Sequence, residues 1–360
     1  MQDRLSNEYI SNAIDELVNT FGVKEEAPHN EMVALLLTGK TKECIKAVAS
    51  HLGLPVEIHL SHVPKDYRPG ATERFGGSHL ARTDSEGRGV EAITAQVVVP
   101  ENLPMYGTSS LVDFPIQVKV QENCDEQPDT FISVIAHELC HILLKSIWHP
   151  QRNNEVYTDL TSLLLGFCEV TWRGRKVVAT TSSGNLTTTT TTTYGYLTDT
   201  QFAFARNKIE GIRDGYNQDK LRLLAQMDGV TRQSTRLKRS LFQFRKFMAY
   251  LDAHYNRAIR KQDGAQIVQF HSPGYADDID ADVEDSGGLL KEAQTFCESL
   301  DHYTGRSLEM MRRYEERLDL ARDRLEREAR LMNENVNVLK RNVGFLCRIR
   351  TANETKRQLD

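Results

Sequence analysis

Nothing in the 360 residues approaches the roughly 18 consecutive apolar positions that a membrane-spanning helix needs. Cysteine offers no scaffold either. The six cysteines (Cys44, Cys124, Cys140, Cys168, Cys297 and Cys347) are scattered, with no CxxC pair and no short regular spacing. That argues against both a disulfide framework and a thiolate zinc knuckle. A net charge of -5 exerts no global pull toward nucleic acid or acidic membranes, so neither is expected as a partner. The opening MQDRLSNEYISNAIDEL carries acids early and lacks the apolar core of a signal peptide. The expectation is a cytoplasmic protein.

What is present reads as an ordinary soluble chain, 39% apolar and 26% charged, long enough for about two domains. Residues 1-53 carry helical patterning that closes at Gly53. The texture then changes: PVEIHLSHV, EAITAQVVVP and FPIQVKV are short, β-branched and partly alternating, and are expected as strands. From Asp129, placed as an N-cap, to Ser146 the pattern is helical, with apolar residues pointing nearly all round, as in a buried helix. A loop leads to a second helix over about 155-167. Two Thr/Val-rich runs flank Ser183, Gly184 and Asn185, which favours a hairpin over a low-complexity loop.

After residue 200 the chain turns helical. The stretch 273-288, with Gly and a run of acids, is expected as a solvated linker between helical regions 201-272 and 289-360. In the last region Met311, Leu318, Leu325, Met332, Leu339 and Leu346 recur every seven residues. Their companions are mixed, Tyr314 and Ala321 giving way to Glu328 and Asn335, so a long amphipathic helix is favoured over a two-stranded coiled coil. Its arginines are mostly balanced by acids and read as a solvated face.

The chemistry is concentrated in VIAHELCHILL, residues 134-144. His137 and His141, four apart on a helix, offer ring nitrogens to one point. Glu138 sits about a hundred degrees round, where it reaches a water rather than the metal. A catalytic zinc needs a third protein ligand. His149, Glu155 and Asp159 are the candidates, and the last two again share one helical face. Cys140 lies on another face and reads as a small buried side chain.

H-E-x-x-H followed by E-x-x-x-D resembles the gluzincin group of zinc metallopeptidases. The resemblance covers about residues 90-168 and is strong in the motif only. The short gap between His141 and Glu155 looks closer to the compact ImmA/IrrE-type regulatory peptidases than to thermolysin-like enzymes. It implies zinc on His137, His141 and Glu155, Asp159 supporting His137, and Glu138 as general base. It also implies an α+β fold: a zincin-like domain at 54-200, with a small mixed sheet and an active-site helix, ahead of a mostly helical C-terminal region. The expected activity is hydrolysis of peptide bonds in a protein substrate, which pairs along the strand Ile93 to Val99. Tyr194, Tyr196 and His271 are candidates for stabilising the oxyanion. The C-terminal helices are expected to bind substrate, a helical partner or a second copy. The contrasting expectation is a helical interaction protein whose zincin domain is structural or inactive.

Overall fold

The computed structural model describes residues 5-64, 82-83, 89-90, 95-183, 186-255 and 275-359. The chain forms two compact units, Met1–Gly215 with Asp301–Gly305, and Tyr216–Leu300 with Arg306–Asp360. Among the described residues no helix is long and apolar enough to cross a membrane.

The first unit is mixed α and β. It begins with α1 (Asn7–Phe21), whose first turn is capped by the Ser6 hydroxyl accepting from the Tyr9 N–H, then β1 (Val23–Lys24), α2 (His29–Leu37) and α3 (Thr41–His51). Strands β2 (Glu57–Val63), β3 (Arg82–Thr83), β4 (Gly89–Val90), β5 (Ala95–Val98) and β6 (Pro115–Gln121) follow. Strands β3 and β4 pair with each other, while β6 runs parallel to β2 and antiparallel to β5 in a sheet of order β2-β6-β5. Of the strand expected over 93-99, Ile93 and Thr94 lie outside the described residues.

The centre of this unit is α4 (Pro128–Ser146). Its side chains from Thr130 to Leu144 are all buried, as an apolar stripe on every side requires. Asp129 is not its N-cap. Pro128 opens the helix, where a missing N–H costs nothing, and the Asp129 carboxylate instead meets His29 Nε2 at 2.5 Å. Next come α5 (Glu155–Ser162) and a wide turn at Leu163–Phe167 leading into α6 (Cys168–Gly174). Gly166 adopts φ +96° there, and a Cβ at that position would lie 2.2 Å from the Glu25 carbonyl oxygen. The expected hairpin forms from β7 (Lys176–Ser183) and β8 (Leu186–Thr193), in register from Lys176 opposite Thr193 to Ser183 opposite Leu186. Gly184 and Asn185 lie outside the described residues.

Helix α7 (Asp199–Tyr255) carries the chain from the first unit into the second. The stretch expected as an acidic linker is helical from Tyr275 on, within α8 (Tyr275–Glu298). Ile279, Val283, Leu289 and Ala293 give it a buried stripe, so most of its acids lie on the other faces. Strand β9 (His302–Tyr303) pairs with β1 in the first unit, and α9 (Gly305–Leu359) completes the chain. Helices α7, α8 and α9 contact one another in the second unit. Ser240 Oγ donates to Asn333 Oδ1 at 2.7 Å, Arg317 pairs with Glu292 at 3.2 Å, and Arg324 pairs with Asp282.

The seven-residue repeat from Met311 to Leu339 is buried throughout, while the Leu346 side chain is outside the described set. In its first half the companion three residues on is Tyr314, which packs against Phe296, whereas in its second half the buried companions lie four residues on, at Ala329 and Val336. A second repeat, in α7, passes through Leu223, Met227, Val230, Ser234, Leu237, Leu241 and Phe244 at alternating spacings of four and three, all buried. That is the spacing by which helices interlock side by side.

Candidate metal centre

Two helices build the site. On α4, His137 and His141 stand one turn apart, and Glu138 is carried to a different side. The Asn154 side chain caps α5 by accepting from the Val156 N–H at 3.0 Å, which fixes where that helix begins. Its first face then presents Glu155, Thr158 and Asp159 at positions i, i+3 and i+4.

The ring nitrogens and one carboxylate converge. Glu155 Oε2 lies 3.2 Å from His137 Nε2 and 3.3 Å from His141 Nε2. Ligand atoms set about 2.05 Å from a tetrahedral centre stand about 3.3 Å apart, so the residues present fit a zinc-sized ion. His137, His141 and Glu155 are the group among the described residues that could hold a metal ion. His149 is not part of it: its Nε2 lies 3.4 Å from Glu16, and its ring packs against Tyr157. Asp159 is not part of it either, because its Oδ1 sits 2.7 Å from the other nitrogen of His137.

Electrostatics make the same point. Burial alone would depress the His137 imidazole, but the Asp159 and Glu155 carboxylates outweigh it and lift the group to about 10. Burial alone would raise the Glu155 carboxyl, but hydrogen bonds from His137 and His141 hold it at about 2. Carboxylates gathered around nearly inaccessible imidazoles demand positive charge at that point, supplied by a proton or by a cation.

Each histidine is oriented from behind. Asp159 fixes the ring of His137. Thr158 Oγ1 donates to the Asn154 carbonyl at 3.2 Å and stands 3.4 Å from His141 Nδ1, from which it can accept. Both contacts leave Nε2 facing the shared point. Thr158 was not among the residues singled out from the sequence, although its spacing from Glu155 and Asp159 places it on their face.

The loop after β8 closes over this arrangement. The Tyr196 N–H donates to Asp159 Oδ2 at 2.6 Å, and its ring stacks on His137 with centroids 5.8 Å apart and planes at 22°. Gly195 makes the approach possible with φ +94°. Burial pushes the Tyr196 hydroxyl up, and the negative charges of Glu155, Asp159 and Glu138 push it further. Tyr194 is placed elsewhere. It is buried, its N–H donates to the Arg175 carbonyl, and its side chain lines a cavity of about 20 Å3 with Asp159 and Arg175, the space of one water molecule. His271 lies outside the described residues.

Glu138 is 1% exposed, and its Oε2 lies 3.5 Å from the Val97 N–H. Among the described residues β5 pairs with β6 on one side only, and this N–H belongs to the other edge, facing Glu138. Cys140 is fully buried, and burial holds its thiol well above the ordinary range, which suits packing rather than ligation.

No family model, curated protein or solved structure matches the chain.

Proposed function

We propose that the first unit is a zinc metallopeptidase of the gluzincin type with a zincin-like fold, hydrolysing peptide bonds of a protein substrate. The observation that carries this reading is the convergence of His137 Nε2, His141 Nε2 and Glu155 Oε2, with Glu138 beside them but outside the group. A zinc ion held by these three residues would polarise a substrate carbonyl and acidify a water molecule.

The chain's own residues supply the remainder. Glu138 follows His137 on α4 and is buried, with its carboxylate toward the edge of β5. Its carboxylate takes a proton from the attacking water and returns it to the leaving amine. The edge of β5 offers backbone groups on the side of Glu138, so an extended peptide lying along Ala95–Val98 would bring its carbonyl to the site. Tyr196, stacked on His137 and kept protonated by its surroundings, is the donor for the oxyanion. Tyr194, buried and lining a small cavity with Asp159 and His137, is not assigned that role. The α7–α9 helices of the second unit would then recognise the substrate or a helical partner.

The first experiment is anomalous diffraction on either side of the zinc absorption edge, joined to a peptidase assay of Glu138→Gln. A zinc peak on His137, His141 and Glu155, with hydrolysis reduced by about 10² to 10⁴ in the variant and zinc retained, supports the proposal. An ion enclosed by four protein side chains, or hydrolysis indifferent to Glu138, would favour a structural site in an interaction protein.

A further inference from the structure

We infer that the basic face of α7 in the second unit, centred on Phe242, is a binding surface for single-stranded nucleic acid. Between Gly229 and Leu251 the sequence has six cations and no carboxylate, in a chain whose net charge is -5. The six are Arg232, Arg236, Lys238, Arg239, Arg245 and Lys246. Arg245 is committed to Asp280 at 2.5 Å. Among the described residues, the other five form no ion pair and all are exposed.

Their placement is regular. Arg232, Arg236, Arg239 and Lys246 follow a stripe in which Gln243 fills the remaining place. The spacing of four, three, four and three residues keeps them on one face, opposite the buried repeat of the same helix. The stripe is about 21 Å long at 1.5 Å per residue. Arg232, Arg236 and Arg239 line a groove together with Thr235, Gln243 and Asn333, the last supplied by α9. Guanidinium, hydroxyl and amide groups in that combination are the side chains that bond phosphate oxygens.

An aromatic ring selects among anionic partners. Phe242 is 71% exposed, and Lys238, Arg239 and Lys246 occupy positions i-4, i-3 and i+4 beside it, while Arg245 at i+3 is paired with Asp280 and lies 3.9 Å from Asp277. An exposed phenyl ring flanked along the helix by three cations unpaired among the described residues suits a ligand that offers a flat apolar face between negative charges. A single strand offers both in every nucleotide, whereas a run of Asp and Glu carries no ring and a duplex keeps its bases stacked inside. The near-neutral balance of the whole chain conceals this face because the acids lie on other segments.

The test is fluorescence anisotropy of the full-length protein with a fluorescein-labelled 20-nucleotide oligothymidylate, titrated at several salt concentrations. Binding is expected with a slope of log affinity against log salt of about -3.5, from five contacts at about 0.7 each. The Arg232→Ala, Arg236→Ala, Arg239→Ala triple variant should flatten that slope by about 2. Phe242→Ala should weaken binding by about 5- to 100-fold and leave the slope unchanged. Arg312→Ala, remote on α9, is the control and should change neither. Circular dichroism of each variant confirms its fold. The inference is overturned by no binding at 50 mM salt, or by duplex binding as tightly with Phe242 dispensable. It is equally overturned if polyglutamate competes as well as the oligonucleotide, or if only anionic vesicles bind.

Discussion

The Oδ1 atom of Asp159 lies 2.7 Å from Nδ1 of His137, and the two residues belong to different helices. The contact favours a proton on Nδ1 and leaves Nε2 aimed at Glu155, 3.2 Å away. The same carboxylate receives the Tyr196 N–H on its other oxygen. One side chain thus ties together α4, α5 and the loop that follows the hairpin.

Removing that tie should cost metal affinity rather than fold. Asp159→Asn is expected to bind zinc about 10- to 100-fold more weakly than the native chain, measured by competition with a chromogenic chelator. Thr158→Val should move affinity in the same direction by up to about 10-fold through His141. Unchanged affinity in both variants would mean that the histidines are held by α4 alone.

Tyr196→Phe separates a donor from a packing ring. The phenyl ring keeps the stack on His137, so zinc binding and KM should stay near their native values. Loss of the hydroxyl should lower kcat by about 10² to 10³ in peptide hydrolysis. A native kcat in this variant would assign Tyr196 to packing only.

Gly195→Ala probes the loop. The new methyl group would require a side chain at φ +94° and would sit 3.3 Å from Asp159 Oδ2. The left-handed conformation costs about 1 to 2 kcal/mol, and displacement of the Tyr196 N–H would loosen Asp159. The midpoint of urea unfolding should fall together with zinc affinity. A native midpoint would show that the loop has another conformation of equal stability.

A pH dependence follows from the cluster around β1 and β9. Burial lowers the affinity of His51 and His302 for a proton, and the Lys24 ammonium lowers it further. The folded pKa therefore lies below the unfolded value of 6.5. Below that pH the unfolded chain takes up more protons than the folded one, so stability contributed by these groups is full above about 6.5 and drains away as the pH falls. Below about pH 6.5, where the raised His137 already contributes in full, the melting temperature should drop toward pH 5, and His302→Gln should make the drop smaller. An identical pH profile in the variant would remove His302 from the account.

Local geometry made much of the site legible in the sequence. The four-residue spacings of His137 with His141 and of Glu155 with Asp159 define faces of helices whatever the surrounding fold, and so does the seven-residue repeat from Met311 to Leu339. The strands of the central sheet and the β7–β8 hairpin were legible for the same reason, as alternation bounded by turn residues. The acidic stretch in α8 was misread because a run of charge obscures a sparse buried stripe, and Asp129 because Pro128 already opens α4.

Tertiary structure alone decided which face meets which. It brought Glu155 rather than His149 to the two histidines, set the edge of β5 against Glu138, laid Tyr196 on His137 while burying Tyr194, and put the later companions of the α9 repeat at Ala329 and Val336. The physical reason is range. Periodicity follows from bonds within one helix or strand, whereas these juxtapositions depend on packing between segments far apart in the chain, which no local spacing encodes.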